Sequence, residues 1–109
     1  MSAAAVAPLD ATLRALADGN RRAILEVVRD EPRAVGEIAT EVAMSQQAVS
    51  HHLRVLRGAG LVDETRDGTR HLFLVRTDGF AVVRQFVEGF WPDRLAALKV
   101  AAEKAAKHG

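Results

Sequence analysis

Gln46, Gln47, Ser50, His51 and Arg54 fall together on one face of a single helical segment, and none of them is acidic. Glutamine, serine and arginine carry hydrogen-bond groups that match base edges in the major groove of DNA. The opposite face repeats Val49, Leu53 and Leu56 at i, i+4 and i+7, the stripe of a helix buried on one side. Ser45 in front is a good N-cap, and Gly58-Ala59-Gly60 behind ends the helix. A polar helix face alone says little, since most solvated faces look alike. The neighbours on both sides raise this one.

Upstream, Val35–Val42 predicts a shorter helix with Val35, Ile38, Ala39 and Val42 on one side, joined to the next by Ala43-Met44. Two helices joined by so short a turn make a helix-turn-helix, whose second member enters the major groove. Downstream, Leu61–Val75 alternates apolar and polar residues about Asp67-Gly68, a strong hairpin signal because a tight turn needs positive φ. A helix-turn-helix followed by a hairpin is a winged helix. Arg66, Thr69 and Arg70 then sit at the wing tip, in reach of phosphate or the minor groove.

From about Leu13 to Lys99 the chain resembles the ArsR/SmtB family of small bacterial winged-helix repressors. The residues that carry the likeness are Ala15–Leu25, Ser45-Gln46, Ser50-x-His52-Leu53, Leu56, Ala59–Val62 and the Asp67-Gly68 wing. The resemblance implies a homodimeric DNA-binding transcriptional regulator, usually a repressor of its own operon. It also implies a role for His52, as the histidine of Ser-x-His-Leu: contact with phosphate, or a structural histidine at the core edge. Metal-sensing relatives carry one of two sites. The first needs Cys-x-Cys where this chain has Ala34 and Gly36; the second needs Asp-x-His and His-x-x-Glu, against Asp78, Phe80, Trp91 and Arg94 here. No metal and no cofactor is expected, and DNA binding should not respond to zinc, nickel, cobalt or arsenite.

Composition sets the outer limits. With 109 residues the chain makes one small domain, and 49% hydrophobic content supports a core. A net charge of +1 is too mild to announce a nucleic-acid partner. Its distribution says more: between Ser50 and Arg76 stand five arginines against three acids, with three of the four histidines. Having no cysteine, the chain cannot form a disulfide or a thiolate zinc site. The first residues lack the pattern of a signal peptide, no apolar run suits a bilayer, and the expected compartment is the cytoplasm. A Gly-rich phosphate loop, a cysteine nucleophile and a histidine–carboxylate constellation within a plausible pocket are all missing, so enzyme activity is not expected.

Along the chain, residues 1–8 read as a flexible tail and 9–107 as the working domain. A first helix is expected over about Leu9–Ala17, and Asp18-Gly19-Asn20 breaks it and caps a second over Arg21–Arg29 that buries Ile24, Val27 and Val28. Thr77 or Asp78 caps a last long helical region, kinked or divided at Pro92. The fold class is mainly α (α+β): about five helices with a two-stranded wing, as a dimer. Leu9, Leu13, Leu16, Phe80, Val83, Val87, Phe90, Trp91 and Leu95 are the expected dimer surface, since Trp91 and three of the four phenylalanines crowd into 80–91. The terminal helix folding back on its own subunit is the alternative. The resulting reading is a homodimeric repressor on a near-palindromic operator. Ser45, Gln46, Gln47, Ser50, His51, His52, Arg54, Arg66, Thr69 and Arg70 contact the DNA. The alternatives are a module controlled by a regulatory protein partner, and a small-molecule sensor built on Phe86, Phe90 and Trp91.

Overall fold

Asp18 opens the globular part of the chain by doing what its side chain is suited to do. Its Oδ1 accepts from the N–H groups of Asn20 at 2.8 Å and Arg21 at 3.2 Å, which ends one helix and starts the next. The computed structural model describes residues 3–108. The elements in chain order are α1 (Ala3–Leu16), α2 (Gly19–Val27), α3 (Val35–Val42), α4 (Gln46–Gly58), β1 (Val62–Asp67), β2 (Arg70–Val75), α5 (Asp78–Glu88) and α6 (Trp91–His108). Among the described residues that is six helices and one antiparallel hairpin.

One stripe from each central element builds the core. Ile24 and Val28 from the second helix, Ile38 from α3, Val49, Leu53 and Leu56 from α4, and Leu61 and Val62 from the hairpin are all almost fully buried. Leu25 is also buried while Val27 only packs at the margin, a one-position rotation of the stripe expected for α2. Strand β2 is held on both edges. Arg33 exchanges two backbone hydrogen bonds with Phe73, at 2.9 and 2.7 Å, so β2 lies between β1 and the segment leading into α3.

Three local expectations are corrected, and the alternative left open at Pro92 is decided. Helix α1 begins at Ala3 rather than Leu9, because alanine has the highest helix propensity. Pro8 removes one N–H from that helix without ending it; residues 1 and 2 of the expected tail lie outside the described residues. Pro92 divides the last helical region into α5 and α6 and stands second in α6, where a missing N–H matters least. Thr77 makes no side-chain bond to α5, and Asp78 instead takes the Arg76 guanidinium at 2.6 and 3.0 Å. The hairpin turn lies one residue later than expected: Asp67 pairs with Arg70, leaving Gly68-Thr69 as the two-residue turn. Gly68 has φ +64°, the first central position of a type II′ turn.

Gly79 fixes how α5 meets the rest. A Cβ there would stand 2.7 Å from the Ala59 carbonyl oxygen, and the Gly79 N–H donates to the Gly60 carbonyl at 3.0 Å. Only glycine lets the start of α5 sit against the end of α4.

Candidate nucleic-acid interface

The reading helix is positioned from both ends. At its N-terminus the Ser45 Oγ accepts from the Ala48 N–H at 3.1 Å. Just before it, Ala43 takes a left-handed φ of 56° and Met44 returns its N–H to the Ala39 carbonyl at 3.0 Å, closing the turn between α3 and α4. With Val49, Leu53 and Leu56 buried, the geometry of an α-helix leaves Ser45, Gln46, Gln47, Ser50, His51 and Arg54 exposed. Among the described residues no ion pair holds Arg54, so this face presents uncommitted donors and acceptors. Such a face can pair with base edges and phosphates without first breaking an internal bond.

His52 stands apart from that set. It is half-buried, and its Nδ1 faces the Arg21 Nη1 at 3.5 Å. The Arg21 guanidinium also donates to the carbonyls of Ala15 at 2.7 Å and Arg14 at 3.0 Å, closing the end of α1. Arg22 does likewise, donating to the Leu16 carbonyl at 2.7 Å. These two arginines cap a helix. Asp18, beside them, is held below the ordinary carboxylate range, first by the Arg21 backbone N–H and further by the Asn20 N–H and nearby positive charge.

Basic side chains of the wing are more committed than their sequence positions suggest. Arg66 and Thr69 are exposed, and among the described residues no ion pair holds Arg66. Arg70, by contrast, is paired with Glu37 of α3. The Nδ1–H of His71 donates to the Glu64 carboxylate, whose other oxygen lies 2.7 Å from the Arg57 guanidinium. Glu64 is accordingly held below its ordinary range, first by the His71 hydrogen bond and further by the charges around it. His71 therefore has a carboxylate partner across the hairpin. The hairpin register explains this: Glu64 opposes Phe73 and Arg66 opposes His71, so Glu64 and His71 are diagonal neighbours on one face. Glu37 and Glu64 were missed as participants, although the Asp67-Gly68 turn expected from the sequence would itself have set Glu64 directly opposite His71.

The expected dimer surface splits. Leu9 is buried within its own chain, and Leu16, Phe80 and Val83 are only partly exposed. Leu13, Val87, Phe90 and Trp91 are open to solvent, the last at 70%. The side chain of Leu95 lies outside those described. Phe86, also exposed, meets Phe90 edge-on with centroids 5.1 Å apart. These rings line no cavity among those described; the most apolar one, about 420 Å³, lies between Leu16, Leu25, Val75 and Phe80. Ala34 and Gly36 offer no ligand atoms, Asp78 is tied to Arg76, and among the described residues no three His, Asp or Glu side chains are grouped to hold a metal.

Comparison with known proteins places this geometry. Residues 18–64 match the model of the bacterial regulatory protein, arsR family. Over 82 residues the chain is 44% identical to the HTH-type transcriptional regulator Rv2034 of Mycobacterium tuberculosis, covering 75% of this chain and 77% of that one. Among solved structures, an ArsR-like transcriptional regulator from Rhodococcus sp. RHA1 superposes with a TM-score of 0.72 at 28% identity, covering 95% of this chain and 98% of that one. The homodimeric winged helix-turn-helix DNA-binding domain Mb0332 from Mycobacterium bovis gives 0.66 at 33% identity, covering 84% and 83%.

Proposed function

The chain belongs to the ArsR family of bacterial regulatory proteins, and from that premise we propose that it is a homodimeric repressor that occludes a promoter by binding a near-palindromic operator. It is a DNA-binding transcriptional regulator and not an enzyme. The observation that carries the mechanism is the outward face of α4. Gln46, Gln47, Ser50, His51 and Arg54 stand exposed and uncommitted on a helix locked by Val49, Leu53 and Leu56. In this reading Gln46, Gln47 and Ser50 meet base edges, while Arg54, His51 and the wing residues Arg66, Thr69 and Arg70 meet the backbone. His52 acts through Arg21, holding α4 against the joint of α1 and α2. Ser45 acts by capping.

Leu13, Phe86, Val87, Phe90 and Trp91 support the dimer, as a patch of large apolar side chains too costly to leave in water. A two-fold axis through it would set the two α4 helices about one DNA turn, ~34 Å, apart. That patch is the natural seat of a second copy, so a regulatory protein partner is the less favoured occupant. Residues 1–8 stay outside the working unit of 9–107, and the site of action is the cytoplasm, where bacterial DNA lies.

The test is a fluorescence-anisotropy titration of duplexes tiled across the region upstream of its own gene, with sedimentation of the same complexes. One duplex should bind far more tightly than random DNA, at two chains per duplex, with affinity falling steeply as salt rises. Equal binding to every duplex, or tight binding by one chain, would refute the assignment.

A further inference from the structure

Glu37 stands at the meeting point of α3 and the wing, and three groups converge on its carboxylate. One oxygen accepts the Ala34 N–H at 3.2 Å, the free donor at the start of α3. The same oxygen pairs with the Arg70 guanidinium of the wing. The other oxygen lies 3.9 Å from Arg33, which is itself paired with Glu31 at 2.7 Å. A carboxylate on a helix N-terminus facing an arginine occupies the position, and makes the bonds, that a backbone phosphate would.

We propose that Glu37 is an internal stand-in for phosphate that holds the wing arginine in the free protein and sets specificity by opposing DNA that cannot displace it. The inference rests on the DNA-binding reading above. Arg70 turns its whole guanidinium fork to a phosphate only by leaving Glu37, and the carboxylate left behind repels the same phosphate. On random DNA, where few contacts form, that exchange is unfavourable. On a duplex that fits α4, the base contacts offset it. Glu37 therefore weakens binding to every sequence but weakens wrong sequences most, and it acts through Arg70 rather than by touching a base.

Glu37→Gln tests this, because the amide still accepts the Ala34 N–H but carries no charge. Making it in an Ala34→Ser background gives α3 the side-chain cap it lacks and guards the fold against loss of the carboxylate. The probe is a labelled random-sequence duplex of about 30 base pairs, titrated from about 50 to 300 mM salt. Removing one opposing charge is worth close to one unit of the log–log salt slope, or about eightfold tighter binding at about 0.1 M. The gain should shrink when Arg70→Ala is added, leaving only the part due to repulsion between the carboxylate and phosphate. Unchanged affinity and slope in Glu37→Gln, with the background protein still binding, would overturn the role of Glu37 alone. So would a gain that survives Arg70→Ala in full. Failure of the unsubstituted chain to bind any duplex would overturn the DNA reading, and this inference with it.

Discussion

The outer face of α4 and the tip of the wing carry similar basic and polar residues, yet they are prepared differently for DNA. On α4 the outward side chains are exposed and uncommitted, because the helix is set by its buried stripe, its Ser45 cap and the inward-leaning His52. On the wing Arg70 is held by Glu37, and the cluster at its base is joined through Glu64 to His71 and Arg57. One region is organised before DNA arrives; the other must exchange partners when it does. Rigid, free groups suit base readout, whereas exchangeable ion pairs suit a contact that adapts to the local path of the backbone.

The comparison breaks hardest if the platform under α4 is removed. Leu56 is fully buried at the centre of the core, so Leu56→Ala should lose about 2–5 kcal/mol of stability through lost burial and the cavity left behind. Urea unfolding followed by circular dichroism reads this directly. A loss under about 1 kcal/mol would mean that the core does not depend on α4 as described.

Next comes the readout itself. Gln47→Ala should cost about 1–3 kcal/mol on the preferred duplex and leave random DNA nearly unchanged. Arg70→Ala should weaken the preferred duplex more than random DNA, on which Glu37 keeps Arg70, and by less than a free arginine would, since Glu37 already competes for it. Equal loss on both duplexes for Gln47→Ala would move this residue from base to backbone.

How much of this was legible beforehand depended on whether a property was local. The α4 stripe, the span of α3 and the caps Asp18 and Ser45 follow from periodicity and side-chain chemistry, and all were readable. The wing was readable as a hairpin but not in register, since Asp67-Gly68 and Gly68-Thr69 both offer a glycine able to take positive φ. That single step moves His71 from directly opposite Glu64 to the diagonal position on the same face, so either register brings the Glu64–His71 pair together, and the pair was there to be read from the hairpin. Glu37 and Arg70 are far apart in sequence, and nothing local announces that β2 is laid against the entry to α3. Leu9 and Leu13 look equivalent in the helical pattern, yet one is buried in its own chain and the other open. Only the packing of α1 separates them.

A smaller effect tests the joint between the two helices of the motif. Ala43 holds a left-handed φ of 56° at the end of α3. That conformation costs an L-residue with a Cβ about 1–2 kcal/mol, while glycine adopts it freely but loses more entropy on folding. Ala43→Gly should therefore stabilise the fold by a net ~1 kcal/mol, read as a raised urea midpoint at unchanged slope. A lowered midpoint would show that the turn does not need the left-handed conformation.

The smallest expected effect lies in the wing, and it is one of pH. Glu64 sits below its ordinary value of 4.5, chiefly because the His71 ring N–H donates to it, with Arg57 and Arg66 adding positive charge and desolvation opposing them. A carboxyl whose folded value is depressed stabilises the fold above its unfolded value, and the contribution is lost as pH falls through the folded value. The wing should therefore loosen below about pH 4.5 rather than near neutrality. His71→Ala removes the largest cause of the depression, so the acid-side loss of stability should become shallower while the midpoint near neutral pH barely moves, as suits an exposed pair. Thermal midpoints of the two proteins between about pH 6 and pH 3 decide it. Parallel curves would show that His71 and Glu64 are adjacent without being coupled, and would leave Arg57 as the only partner that anchors Glu64.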